Sequence, residues 1–134
     1  MIQAYCAFIT ASGHLSDLVI GETLHAGFVP QGAPHLCTAV QERTPARSDK
    51  DNPALEEVHY QLLTRGPSYM EARAEARRIY GFCVDRKIGY TLGSSGDLWT
   101  LLTTTGIAPA YLGQDEKGRF MFSANLTLRA KKEN

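Results

Sequence analysis

Four histidines and three cysteines are the residues of this 134-residue chain best suited to hold a metal or act as nucleophiles, and their spacing argues against both roles. His14, His25, His35 and His59 form no HxH, HxxxH or HExxH arrangement, so a metal set would have to be gathered from distant segments. They are expected to be solvated or locally hydrogen-bonded, with no metal. Cys6, Cys37 and Cys83 each stand alone in an apolar segment, odd in number and without a CxxC pair. That is the pattern of buried free thiols rather than of a disulfide framework. Gly93–Gly96, GSSG, is followed by a strand where a nucleophile elbow or phosphate loop requires a helix, and reads as a flexible turn. Glu56 and Glu57 are adjacent, so on a strand they face opposite ways and cannot share acid–base work. Asp115 and Glu116 sit in a turn, where solvated carboxylates are common. The expectation is no catalytic residue, no cofactor and no enzymatic activity.

Charge gives the same direction. Fourteen basic residues balance fourteen acidic ones, leaving no chain-wide attraction to nucleic acid or an anionic membrane. The local exception is Arg73, Arg77 and Arg78, offset by Glu71 and Glu75 nearby. With Lys131 and Lys132 these arginines carry an alternative reading, a small α+β nucleic-acid-binding module, although no aromatic alternation of the RNA-binding type accompanies them. At 43% apolar and 21% charged the sequence suits a globular domain, and a single domain over residues 1–134 is expected. No run nears the roughly eighteen apolar residues of a membrane span, and "MIQAYCAFITASG" lacks the basic start of a secretory signal. A cytoplasmic protein is expected.

The elements that must position any site follow from periodicity. Ile2, Tyr5, Cys6, Phe8 and Ile9 fit a short helix over 2–12, closed by Gly13. "DLVIGETLHAGFVP" predicts one or two irregular strands, and His35–Glu42 an interior strand. Arg43–Glu57 carries two prolines and alternating charge, and reads as a long polar loop, mobile in the free subunit and gripping a partner through Arg43, Arg47, Asp49 and Lys50. Val58–Gly66 resumes as a strand. Ser68 and Glu71 then form a capping box for a helix whose stripe is Ala72, Ala76, Ile79, Tyr80 and Cys83. Glu75 is placed to pair with Arg78. Leu98–Thr105 reads as a strand running unevenly to Tyr111. A turn at Asp115–Gly118 leads into the most regular strand of the chain, Arg119–Lys131. There Phe120, Phe122, Ala124, Leu126, Leu128 and Ala130 alternate with Arg119, Met121, Ser123, Asn125, Thr127, Arg129 and Lys131. The sum is an α+β fold, a mostly antiparallel sheet of about four to five strands with two main helices packed on one face.

Three stretches, in this order, resemble the phage minor capsid or tail-completion proteins of tail-terminator type: "GFVP" (Gly27–Pro30), "LLTRGPSYMEARAEARRIYGF" (Leu62–Phe82) and "YLGQDEKGRFMFSANLTL" (Tyr111–Leu128). The resemblance covers the chain from about residue 24 onward. It departs at "CTAVQERTP", where the family often has glycines, and at Gln114, where it often has arginine. The resemblance implies a structural virion protein, assembled in the host cytoplasm and located at the head–tail junction. It implies self-association into a ring, hexameric as a rule, that ends tail-tube polymerisation and meets a head-completion or connector protein. DNA would pass through the lumen unread, with no membrane involved. On this resemblance Asp115, Glu116, Arg119, Met121, Asn125 and Arg129 are the expected contacts to a neighbouring subunit or the tube, and Arg73, Arg77 and Arg78 the residues facing the lumen or phosphates.

Overall fold

The computed structural model describes residues 1–11, 15, 17–30, 32–48, 54–85, 89–94 and 96–133, the side chains of 44–48 excepted. In chain order the elements are α1 (Ile2–Ala11), β1 (Leu24–Ala26), β2 (Cys37–Ser48), β3 (Leu55–Gly66), α2 (Tyr69–Asp85), β4 (Tyr90–Ser94), β5 (Asp97–Gln114) and β6 (Phe120–Lys132). They build one six-stranded sheet in the order β1-β2-β3-β6-β5-β4. Only the β1–β2 pair is parallel; the other four are antiparallel. The sheet is therefore mixed and one or two strands larger than the sequence suggests.

Period-2 alternation decides which face is core. Leu126, Leu128 and Ala130 of β6, Val58, Tyr60 and Leu62 of β3 and Val40 of β2 point into one cluster with Tyr5, Cys6 and Ile9 of α1 and Ile79, Phe82 and Cys83 of α2. Both helices therefore lie on the same face. Each fully buried Leu or Ile there contributes about 1.5–3 kcal/mol relative to exposure. Helix α1 touches strands at both sides of the sheet, β1 and β2 at one and β4 at the other, so the sheet curls around it. α2 crosses β3, β6 and β5. It can lie close because Ala72 and Ala76 are small, and a Cβ on Gly66 at the end of β3 would already stand 3.1 Å from Ala72.

Two expectations need correction. Arg43–Glu57 is not one loop: β2 runs on to Ser48 and β3 starts at Leu55, pairing Arg47 with Glu57 and Ser48 with Glu56. Pro45 and the charges survive there because beyond Val40 the outer side of β2 has no partner strand among the described residues, and register shifts near Thr44 absorb the irregularity. Asp49 and Lys50 lie outside the described residues, as does Gly13. The other correction concerns Gly93–Gly96, read from the sequence as a flexible turn. Gly93 and Ser94 close β4, a strand hidden by its turn-like composition; Leu92 is fully buried opposite Trp99.

Candidate assembly surfaces

The β5–β6 turn is a lock made by two of the predicted contact residues. Asp115 accepts hydrogen bonds at Oδ1 from the backbone N–H groups of Lys117 and Arg119, each 2.9 Å, and at Oδ2 from Arg119 Nε at 2.7 Å. The Asp115 N–H donates to the Arg119 carbonyl at 2.9 Å, and Gly118 takes the positive φ of 76° that the turn requires. Burial alone would raise the Asp115 carboxyl, but the bonds from Arg119 and Lys117 outweigh it and hold it below its usual range. Asp115 and Arg119 thus satisfy each other inside the subunit, while Glu116 points outward and is exposed.

The face of the sheet away from the helices carries the other three. Met121, Asn125 and Arg129 stand on that side of β6, opposite Arg65, Gln61 and Glu57 of β3. Short polar side chains bond across it. Gln61 Nε2 donates to Ser123 Oγ at 2.6 Å, Arg43 Nη1 donates to Gln61 Oε1 at 3.2 Å, and His59 Nδ1 lies 3.1 Å from Thr127 Oγ1. His59 Nε2 is also 3.2 Å from Glu57 Oε1. At the end near Met121 this face is covered. Arg65, only 8% exposed, donates through Nη2 to the carbonyls of Ala33 and Pro34. A cavity of about 230 Å³ remains there, lined by Val29, Leu63, Arg65, Asp115 and Met121. The carbonyl of Glu22 fixes His25 at 2.7 Å from Nε2, while His35 is exposed. Among the described residues no cluster of three or more His, Cys, Asp or Glu side chains gathers as metal ligands, and no helix is long and apolar enough to cross a membrane.

The α2 arginines divide. Arg78 is committed: its two Nη atoms hold both oxygens of Asp17 at 2.9 and 2.8 Å, and Nε bonds Glu75 at 2.6 Å. Its hydrogen bonds to Glu75 and Asp17 push its basicity higher still, and the bond from Arg78 holds Asp17 low. Arg73 and Arg77, one helical turn apart, make no ion pair among the described residues, and Arg77 is exposed.

A surface not anticipated from the sequence lies on β5. β4 pairs with β5 only up to Leu101, so from Leu102 to Gln114 the outer side of β5 has no partner strand among the described residues. Ile107, Tyr111 and Leu112 are 68%, 46% and 56% exposed along that edge. Behind it Tyr69 of α2 meets Tyr111 and Phe122 edge-on at 5.2 Å, and Phe120 at 6.3 Å. The edge is stiffened from the helix side by an aromatic cluster whose outer members are themselves half open. Pro109 was the available signal, because proline within a strand marks an edge.

No family model and no curated protein matches the chain. Among solved structures the chain is similar to one described as "Virion of native gene transfer agent (GTA) particle". The TM-score is 0.47 at 21% identity, over 96% of this chain and 86% of that one.

Proposed function

We propose that this protein is a structural subunit of a phage-type particle, forming a ring at the head-proximal end of a tail tube. The ring ends tube polymerisation and offers the surface for a head-completion or connector protein, with no catalysis and no cofactor. The sequence resemblance supports the family-level reading. The observation that carries self-association is the edge of β5 from Leu102 to Gln114, which has no outer partner strand among the described residues and bears Ile107, Tyr111 and Leu112 in the open. Apolar side chains held in the open along one strand edge suit protein–protein contact. Unpaired strand edges are otherwise suppressed in monomers. Electron microscopy of the purified protein, alone and with its tail tube, tests the proposal. Closed rings or a cap limited to one end of the tube are expected; a monomer that ignores the tube overturns it.

The nucleic-acid reading keeps one observation in its favour, the unpaired Arg73 and Arg77. It requires affinity for duplex or single-stranded DNA that falls steeply as salt rises. Absence of such binding would remove that reading, and binding that survives Arg73→Ala with Arg77→Ala would take these two arginines out of it.

A further inference from the structure

Of the large apolar side chains exposed among the described residues, Tyr69 and Met70 open α2 and Tyr90 lies on β4; the other six form two groups at opposite sides of the sheet. On the β1 side are Val19, Ile20 and Phe28, at 47%, 50% and 74% exposure. On the β5 side are Ile107, Tyr111 and Leu112. Strand register places the two groups level. Leu24 of β1 is joined through Thr38, Thr64 and Phe122 to Tyr111 of β5. Ala26, two residues before Phe28, lies in the row of Val40, Leu62 and Ala124. The next row runs Gln41, Gln61, Asn125, Ile107.

Polarity agrees with position. β1 runs parallel to β2, and three successive antiparallel pairings, β2–β3, β3–β6 and β6–β5, leave β1 antiparallel to β5. A second copy set beside the first in the same orientation therefore brings its β1 next to the first copy's β5 in the antiparallel sense, with the apolar groups level. The operation is a rotation without reversal, so the contact is heterologous, and repeating it builds a ring if the angle closes.

We infer that the β1 side, through Val19, Ile20 and Phe28, seats on the β5 side of a second copy of this chain, through Ile107, Tyr111 and Leu112. The inference rests on the reading of the protein as a self-assembling ring subunit. It assigns the subunit contact to the two sheet edges and not to the Asp115–Arg119 turn.

The test uses the full chain with Phe28→Asp at one edge and Leu112→Asp at the other, followed by native mass spectrometry. Each variant alone is expected to lose the ring. Mixed in equal amounts, they should form a 1:1 dimer and nothing larger, because each keeps one intact edge and only one productive contact exists. That dimer also certifies both variants as folded. Should the Asp variants precipitate, Phe28→Ser and Leu112→Ser with unchanged melting midpoints give the same readouts. Rings that survive both substitutions, or a mixture that stays monomeric, overturn the edge assignment while the ring reading stands. A wild-type chain that is monomeric at every concentration overturns the ring reading and the edge assignment together.

Discussion

Asp115 shows how much one side chain can do in a turn. It receives three hydrogen bonds, one from a guanidinium, and remains only 20% exposed. Asp115→Ala is expected to lower stability by about 1.5–3 kcal/mol, the range for charged hydrogen bonds, readable by urea titration. Its folded pKa lies below the unfolded one, so its contribution is complete above the ordinary carboxylate value, near 4, and is lost as pH falls through the folded value. The melting midpoint of wild type should therefore drop more steeply below pH ~4 than that of Asp115→Asn. Gly106 is a second sensitive point. A Cβ there would lie 2.8 Å from the Asn125 carbonyl oxygen and 2.9 Å from the Tyr80 ring. Gly106→Ala should cost about 1–3 kcal/mol by overpacking, measured the same way. The cysteines are quiet: all three are buried thiols outside any disulfide, and burial pushes the Cys6 thiol up to about 11. The native protein should leave a disulfide-exchange reagent unreacted at pH 8 until denaturant is added.

Among the elements, those with a long unbroken period were legible and those at edges were not. β6 buries Phe122, Ala124, Leu126, Leu128 and Ala130, as its alternation implies, because it lies inside the sheet with a helix-covered face. The α2 helix starts where Ser68 and Glu71 place it. Ser68 Oγ accepts from the Glu71 N–H at 3.2 Å and donates to Glu71 Oε2 at 3.0 Å. Ser68→Ala is expected to cost about 0.5–2 kcal/mol, seen as a lower midpoint in thermal denaturation. The Arg43–Glu57 arms and β4 were hidden by proline, charge and glycine, residues that oppose a central strand and are tolerated where one side of the strand is open. The candidate surface was illegible for a related reason. Alternation tells which way Ile107 or Tyr111 points, but not that the neighbouring strand stops at Leu101. That boundary is set by the length of β4, a property of the assembled sheet.

For the whole molecule, the balance of fourteen basic and fourteen acidic residues leaves little long-range repulsion to oppose self-association. The inferred contact is apolar, so the ring should persist as sodium chloride is raised from about 0.1 to 1 M, over which charge–charge attraction is strongly screened. Sedimentation velocity across that series distinguishes this from an assembly held by Arg119, Arg129 and their like, which would dissociate.

The position of β6 bears on how the chain is made. Residues 120–132 form hydrogen bonds with β3 on one side and β5 on the other, so until that segment has left the ribosome β1-β2-β3 and β5-β4 are not joined in one sheet and are bridged only by the helices. Closing such distant pairings is slow compared with local structure. A copy truncated before residue 120 would lack the strand that joins the two parts of the sheet, and with it Leu126 and Leu128 from the middle of the core. Truncation alleles should therefore be recessive: co-expressing residues 1–118 with the intact chain should leave the yield of complete particles unchanged, since the fragment never becomes a competent neighbour.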